Sequence, residues 1–246
     1  MYRPVDRQGP FPAIVNPHGH WKNGRLHREE DVPLADPPPS PPAEGQADLT
    51  AIGIHLARQG FIVFSYDMIG YTDTVQFSHK FAGSLQHWLW GASLSGFQLW
   101  NSIRVVDYLQ SLPDVDAERI GATGASGGGS QTFLLSAIDD RIKVSLQVNM
   151  VSAYMQGGCL CENGPGLRIG TDNVEIAALM APRPMLLVAA TGDWTKNVPQ
   201  EEYPAIRQIY RFFNAEDRID VQQFNYKHNY NRESRDAMYT WFRRWL

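Results

Sequence analysis

Several features that would mark a specialised protein are scarce or absent in this sequence. Only two of its 246 residues are cysteines, and a net charge of −4 leaves no basic excess that would suggest a nucleic-acid partner. No run of 18 or more apolar residues occurs, so no membrane span is expected. No charged segment precedes an apolar stretch at the N-terminus, so we expect no signal peptide in this chain. These features predict a soluble protein and fit both a cytoplasmic chain and the processed form of a secreted one.

The two cysteines, Cys159 and Cys161, are separated by a single residue. This spacing is too short for an ordinary disulfide across a long loop, and two thiols alone do not make a zinc site. The alternatives are a strained local disulfide and a pair of small buried thiols in a turn. No metal and no cofactor are expected.

The hydrophobic content of 43% over 246 residues suits one large domain, which we expect to span residues 1–246. Apolar runs alternate with amphipathic stretches, which predicts a mostly parallel sheet with helices on both faces. The predicted strands lie at 13–16, 61–66, 119–123, 144–149, 185–190 and 221–225. The predicted helices lie at 47–58, 94–109, 131–138, 174–180, 201–213 and 232–245. The proline-rich run 37–42 is expected to form an exposed, stiff loop.

The segment Gly124-Ala125-Ser126-Gly127-Gly128 fits the pattern G-x-S-x-G between a predicted strand and a predicted helix. In that setting the serine stands on a sharp turn with its hydroxyl exposed above the sheet. The N–H groups that begin the helix point at whatever the hydroxyl attacks. Ser126 is therefore the candidate nucleophile.

A serine nucleophile needs a base, and the base needs an acid that holds its tautomer. Asp193 follows the apolar run 185–190, and His228 follows the predicted strand 221–225. Both therefore lie at the same sheet edge as Ser126, in the chain order serine, acid, histidine. Asp193 could instead cap a helix, and His228 could be an ordinary loop histidine. The three residues together predict a catalytic triad.

The oxyanion hole is expected from Gly127 and from the loop after the first strand, Pro17-His18-Gly19-His20-Trp21. We predict the N–H of His20 as its second donor, with Gly19 permitting the turn. His18 and His20 could instead be turn residues or metal ligands, but no third ligand lies near them in the sequence, which argues against zinc.

Further side chains on loops at this edge are candidates for lining a substrate pocket: His18, Trp21, Asp67, Tyr71, Trp88, Trp90 and Trp194. The alternative for Trp88 and Trp90 is burial in the core. Asp67 and Tyr71 could contact substrate or merely close their loop.

Seven segments together resemble the acetylxylan-esterase-like, dienelactone-hydrolase-related branch of the α/β-hydrolases. They are residues 17–21, 65–71, 124–129, 157–163, 181–184, 191–195 and 228–231, and the resemblance covers nearly the whole chain. The likeness implies an α/β-hydrolase fold with Ser126 as nucleophile, Asp193 as acid and His228 as base, in agreement with the strand-end argument.

Such hydrolases carry one or two antiparallel strands ahead of the first strand found here, where only residues 1–11 precede the run that begins at Ala13. We therefore expect a sheet of about six strands from which the N-terminal antiparallel strands are largely missing. Tyr2-Arg3-Pro4 is interpreted as the tail of the missing strand. An exposed sheet edge either pairs with a second copy or needs protection, so a homodimer is one expectation.

These residues predict a serine ester hydrolase that works through an acyl-enzyme on short-chain, acetyl-type esters, carbohydrate esters among them. Two alternatives stay open. A peptidase of the prolyl-oligopeptidase type would share the triad order, although no propeller or other gating domain is present. A non-catalytic binding protein on a hydrolase fold would not need three intact triad residues.

Overall fold

The computed structural model of the chain describes residues 1–28 and 47–246. The proline-rich run 37–42, for which an exposed loop was expected, lies outside the described residues. Within the described ranges, no helix has both the length and the apolar character that crossing a membrane would require.

The centre of the fold is a six-stranded sheet in which every neighbouring pair of strands is parallel and the strand order is 2-1-3-4-5-6. The strands are β1 (Phe11–Pro17), β2 (Ile62–Tyr66), β3 (Val115–Ala125), β4 (Ile142–Val148), β5 (Met185–Ala190) and β6 (Ile219–Phe224). This confirms the sequence expectation of a mostly parallel sheet of about six strands. Because all strands run in one direction, their carboxyl ends share one edge, where a functional site is expected.

Helices connect the strands, and their ends carry the capping residues that the sequence provides. They are α1 (Leu49–Gln59), α2 (Leu85–Leu89), α3 (Leu94–Gln110), α4 (Gly127–Ile138), α5 (Asn173–Ala178), α6 (Glu202–Arg211) and α7 (Arg232–Trp245). Asp48 caps the start of α1 by accepting a hydrogen bond from the Ala51 N–H, and Gly60 ends this helix in the left-handed conformation. The helix predicted at 232–245 has the bounds of α7.

Side chains on successive residues of β1 point to opposite faces of the sheet, and each face is covered by helices. Ile14 belongs to the core formed with α1 and α7, whereas Ala13 and Val15 pack in the core that includes α3. A third core joins α4, α5 and α6 to β5 and β6. The predicted arrangement, with helices on both faces of the sheet, is therefore confirmed.

Burial in the core, the alternative considered for Trp88 and Trp90, is wrong. Trp88 is 39% exposed and Trp90 is 86% exposed, so neither is a core residue. Both belong to the short helix α2 or its end, and α2 has no buried residue at all. The helix predicted at 201–213 ends at Arg211, so Phe213 lies beyond α6 and is 53% exposed.

The N-terminal residues protect part of the sheet edge that β2 forms. Tyr2 makes an antiparallel bridge to Val63, with the Tyr2 N–H donating to Val63 (2.9 Å) and the Val63 N–H donating to Tyr2 (3.0 Å). This bridge is antiparallel, whereas the neighbouring strands of the sheet are all parallel. Whether the chain forms a homodimer, and whether it is one domain over residues 1–246, remain predictions.

Candidate active site

Ser126 lies in the turn between β3 and α4 in a conformation that few residues adopt. Its backbone has φ 57° and ψ −128°, in the positive-φ region that costs a non-glycine residue about 1–3 kcal/mol. The Ser126 N–H donates to the carbonyl of Val148 (3.1 Å), so the turn is anchored to β4. The residue is 8% exposed, which leaves its side chain at the bottom of a depression rather than on an open surface.

The glycines of the motif are required because two backbone segments meet there. A Cβ atom on Gly124 would lie 2.7 Å from the Pro17 carbonyl oxygen, and one on Gly128 would lie 2.9 Å from the carbonyl carbon of His18. Both distances are too short for real side chains. The end of β1 therefore packs directly against the serine turn, and this contact places the loop after β1 beside Ser126.

Asp193 and His228 form a hydrogen-bonded pair. The imidazole Nδ1 of His228 lies 2.9 Å from Oδ2 of Asp193, whose side chain is 2% exposed. The other carboxylate oxygen of Asp193 accepts hydrogen bonds from the backbone N–H (2.7 Å) and the hydroxyl (2.5 Å) of Thr195. An ionised carboxylate can only accept, so Nδ1 of His228 carries the hydrogen and Nε2 carries a lone pair. This Nε2 is buried and has no hydrogen-bond partner among the described residues.

Backbone hydrogen bonds hold the loops that carry these residues together. The Gly192 N–H donates to the carbonyl of Tyr226 (2.9 Å), which joins the loop after β5 to the loop after β6. The amide of Asn149, one residue past β4, donates to the carbonyl of Asn229 (2.8 Å). The acid and the histidine are thus in contact, and the loop of Ser126 is linked to theirs through the end of β4.

The predicted oxyanion residues lie around Ser126. A Cβ atom on Gly19 would stand 2.9 Å from Cβ of Ser126 and 2.7 Å from the carbonyl oxygen of Ala125, so only glycine fits at this position. Gly127 is the first residue of α4, and the His20 ring passes 3.4 Å from the place a Gly127 Cβ would occupy. Binding of an oxyanion by the N–H groups of Gly127 and His20 remains a prediction.

His18 and Asp67, both pocket candidates, are buried and hold the loops, and His18 also lines the cleft beside Gly127. His18 Nδ1 donates to the carbonyl of Gly19 (2.7 Å), and its Nε2 accepts from the Met68 N–H (3.0 Å). Burial lowers the pKa of His18 to about 4, so the ring is neutral at pH 7. Asp67 is buried and accepts hydrogen bonds from the Arg25 guanidinium and the Asp73 N–H.

The tryptophan candidates fall into different places. Trp194 stacks on His228, with 4.2 Å between ring centroids, so it packs against the imidazole. Trp21 is half-buried and packs against the core next to Gly19. Trp88 donates its indole N–H to the carbonyl of Ala82 (3.1 Å) within its own loop. In residues 1–28 and 47–246, no ring contact joins Trp88 or Trp90 to the histidines of the site.

Tyr71, the remaining candidate, leads to a group of residues that the sequence reasoning missed. Its ring makes edge contacts with His18 and His79 at 5.0 Å, and burial raises its pKa to about 12. Nε2 of His79 lies 3.2 Å from Nε2 of His20, and Sγ of Cys161 lies 3.2 Å from the same His20 nitrogen.

The two cysteines are free thiols, which excludes the local disulfide in this structure. A hydrogen bond from Cys161 lowers the pKa of Cys159 to about 4. The same hydrogen bond, together with burial, raises the pKa of Cys161.

The sequence argument against a metal rested on the lack of a third ligand near His18 and His20 along the chain, but distance along the chain does not decide which side chains meet. The fold brings His79, Cys159 and Cys161 to His20, although 59 to 141 residues separate them in the chain. One signal was available: these residues follow β1, β2 and β4, whose carboxyl ends share the same edge.

A narrow cleft at this position lies between the loop after β1, Tyr71 and Gly127. A larger cavity of about 460 Å³ lies between α1 and α7 and is lined by residues such as His55, Arg232 and Tyr239. None of the predicted catalytic residues lines that cavity. The strained serine and the acid–histidine pair, not cavity size, therefore identify the candidate active site.

A family model and a curated protein are similar to this chain. The family model for acetyl xylan esterase (AXE1) matches residues 99–156, a range that includes Ser126. The inferred hydrolase YtaP of Bacillus subtilis (strain 168) is 29% identical over 201 residues, which are 78% of this chain and 63% of YtaP.

Two solved structures extend the comparison. Methylesterase BT1017 superposes with a TM-score of 0.82 and 32% identity over 98% of this chain and 50% of that chain. A family 15 glucuronoyl esterase from Caldicellulosiruptor kristjansonii shares the fold, with a TM-score of 0.67 and 16% identity over 99% of this chain and 71% of that chain. The chain thus spans 63% of the length of YtaP and half the length of the methylesterase.

Proposed function

We propose that this chain is a serine ester hydrolase of the acetyl-xylan-esterase-like branch of the α/β-hydrolases, with Ser126, His228 and Asp193 as its catalytic triad. The observation that carries the proposal is the state of His228. Its Nδ1 is bound to Asp193 at 2.9 Å, while its buried Nε2 has no partner among the described residues. A histidine held in this tautomer, with a free lone pair at the strand-end edge, is prepared to accept a proton.

In the first step, the Ser126 hydroxyl attacks the ester carbonyl carbon while Nε2 of His228 takes the hydroxyl proton. The carboxylate of Asp193 stabilises the imidazolium that forms and keeps the ring oriented. The buried position of Asp193 strengthens this interaction, because a carboxylate with 2% exposure is poorly screened by water.

The carbonyl oxygen becomes an oxyanion as the serine attacks, and the N–H groups of Gly127 and His20 are its proposed donors. His228 then passes its proton to the leaving alcohol, which departs and leaves an acyl group on Ser126. Water attacks the acyl-enzyme with His228 again as base, and the acid product leaves. Ser126 is restored with its proton.

The cleft beside Gly127 is narrow and is closed in by Met68 and Tyr71, which favours a small acyl group over a long chain. We therefore propose acetyl-type esters as substrates, with acetylated carbohydrates as the first class to examine. The 32% identity to a methylesterase favours a second candidate, in which the small group is the alcohol of a methyl ester. O-acetylated xylan and a methyl-esterified uronate oligosaccharide, assayed in parallel, distinguish the two candidates by release of acetate or methanol.

The test of the proposed nucleophile is Ser126→Ala, assayed on p-nitrophenyl acetate. We expect kcat to fall by roughly 10⁴-fold or more without loss of the fold. Ser130→Ala is a matched control, because Ser130 is buried in the same helix and its hydroxyl has no hydrogen-bond partner among the described residues. Full activity in Ser126→Ala would overturn the proposal.

Two further assays separate the alternatives. A fluorophosphonate probe should label the wild-type protein at Ser126, and failure to label would favour a non-catalytic binding protein. Comparison of short esters with a proline-containing amide tests the peptidase alternative, which predicts faster cleavage of the amide.

A further inference from the structure

Four side chains with metal-ligating atoms converge next to the cleft. His20 comes from the loop after β1, His79 from the loop after β2, and Cys159 and Cys161 from the segment after β4. One ligand atom from each residue lies within 4.8 Å of all the others. The proposed catalytic mechanism uses the backbone of His20 but none of these four side chains.

The orientation of each imidazole directs a lone pair into the cluster. Nδ1 of His79 donates to the carbonyl of Ile69 (2.6 Å), so its Nε2 is unprotonated in the neutral ring. Nδ1 of His20 faces the buried carboxylate of Glu162 at 3.9 Å, which favours a hydrogen on that nitrogen. Histidines that bind metals are commonly held in this way by a carbonyl or a carboxylate on the opposite ring nitrogen.

Glu162 is itself fixed, since its other oxygen accepts hydrogen bonds from the N–H groups of Gly158 (2.7 Å) and Cys159 (3.0 Å). The two Nε2 atoms consequently face each other at 3.2 Å with both lone pairs directed inward. Nε2 of His20 also lies 3.2 Å from the sulfur of Cys161, and a single ring nitrogen cannot satisfy both neighbours. A cation between the four atoms would remove this conflict.

The spacing suits zinc. With Zn–N of about 2.0–2.1 Å and Zn–S of about 2.3 Å, tetrahedral geometry puts the two nitrogens about 3.3 Å apart and a nitrogen about 3.5 Å from a sulfur. The observed separations are 3.2 Å in both cases, so the ligands need to shift by only a few tenths of an ångström. Two thiolates and two imidazoles are soft and borderline donors, which select zinc over magnesium or calcium.

We propose that His20, His79, Cys159 and Cys161 form a tetrahedral zinc site. All four positions are filled by protein atoms, which is typical of structural rather than catalytic zinc. The ion would fasten the loops after β1, β2 and β4 to one another and thereby fix the wall of the cleft beside Gly127. His20 is exposed, so an ion has a path from solvent.

Metal content tests the proposal independently of any esterase activity. The full chain is purified under reducing conditions, loaded with zinc sulfate, passed through a desalting column and analysed by mass spectrometry of the elements. We expect one zinc per wild-type chain and less than about a tenth of that in the double variant Cys159→Ser/Cys161→Ser and in His79→Gln. His55→Gln, a histidine on α1 outside the cluster, is the matched control and should retain the metal.

Cobalt(II) gives a readout that needs no variant. Bound to the wild-type protein, it should show the strong visible bands of a tetrahedral ion and a near-ultraviolet thiolate charge-transfer band. Zinc at a hundredfold excess over its Kd should raise Tm by roughly 5–10 °C. Absence of the cobalt bands in the reduced wild-type protein, or unchanged zinc content in the double cysteine variant, would overturn the proposal.

Discussion

The substitution Asp193→Asn tests the proposed acid in a way that the geometry makes specific. In the wild-type protein, one oxygen of Asp193 accepts from Thr195 through the backbone N–H (2.7 Å) and the hydroxyl (2.5 Å). The Thr195 hydroxyl in turn accepts from the Ala190 N–H (2.9 Å), so its own hydrogen is directed at Asp193. Both groups that face this oxygen are donors, and an amide NH₂ cannot take its place.

The asparagine must therefore keep its carbonyl oxygen toward Thr195 and turn its NH₂ group toward Nδ1 of His228. An NH₂ group can only donate there, so Nδ1 loses its hydrogen and Nε2 gains it. In this tautomer, Nε2 has no lone pair with which to take the Ser126 proton. The volume of the side chain and most of its contacts are preserved, so the fold should persist.

The expected loss in kcat is about 10⁴-fold, the size seen when a triad acid is changed to its amide. At about 1.4 kcal/mol for each factor of ten, this corresponds to about 5.5 kcal/mol of transition-state stabilisation. The assay is steady-state hydrolysis of p-nitrophenyl acetate, with Tm measured on the same samples. Asp172→Asn is the matched control, because that carboxylate also accepts from two backbone N–H groups but only caps α5.

The reasoning would be refuted if Asp193→Asn kept its activity within about tenfold of the wild type while its Tm was unchanged. That result would mean that another group orients His228. If activity and Tm both fall strongly, nuclear magnetic resonance spectra test the tautomer argument, because they show which nitrogen of His228 carries the proton. A protonated Nε2 in the variant at neutral pH would support it.

Two further predictions concern the loop at Gly19 and the carboxylate of Asp139. Gly19→Ala would place a Cβ 2.9 Å from Cβ of Ser126, so we expect kcat/KM on p-nitrophenyl acetate to fall by roughly a hundredfold or more while circular dichroism keeps its wild-type form. Burial acts to raise the pKa of Asp139, but hydrogen bonds from Arg141 outweigh it and the pKa is lowered. A lowered pKa contributes stability above the unfolded value of about 3.9 and loses that contribution as the pH falls through the folded value. Urea unfolding should therefore show Asp139→Asn less stable than wild type at neutral pH by roughly 1–3 kcal/mol, with a smaller difference near pH 3, and an equal difference at both would contradict this account.

The parts of the fold that could be predicted from the sequence are those whose local pattern is strong. The apolar run 185–190 has the bounds of β5, since a strand buried on both faces needs apolar residues throughout. Asn231 caps α7 by accepting from the Ser234 N–H, which marks its start. The start of β3 was missed because residues 116–119, near its beginning, are mostly polar. This part belongs to the strand because Val115 and Ile120 pair with β1.

The segment 72–91 could not be predicted in the same way. Its one helix, α2, has five residues, which is too short for a periodic pattern to identify, and it buries none of them. The positions of the aromatic residues in this segment therefore do not indicate which of them face the protein interior. Trp88 and Trp90 were assigned to a core or a pocket on residue type alone; their exposure contradicts the core assignment, and their role in a pocket stays a prediction.

The acid and the histidine were predictable because parallel strands end at a common edge, so residues that directly follow β5 and β6 must lie near each other.

The residues of the ligand cluster also follow strands that end at this edge. Their side chains meet, however, only because of the paths that the irregular segments after β2 and β4 take. His20 joins the two sets, because its neighbour Gly19 lies beside Ser126 while its ring lies near Gly127, the cysteines and His79. Backbone hydrogen bonds such as that from Gly192 to Tyr226 hold Asp193 and His228 together, so this half of the site does not depend on the cluster. The loop after β1 touches the cluster through the ring of His20. An ion bound there would therefore act on the oxyanion side of the site and leave the acid–base pair unchanged.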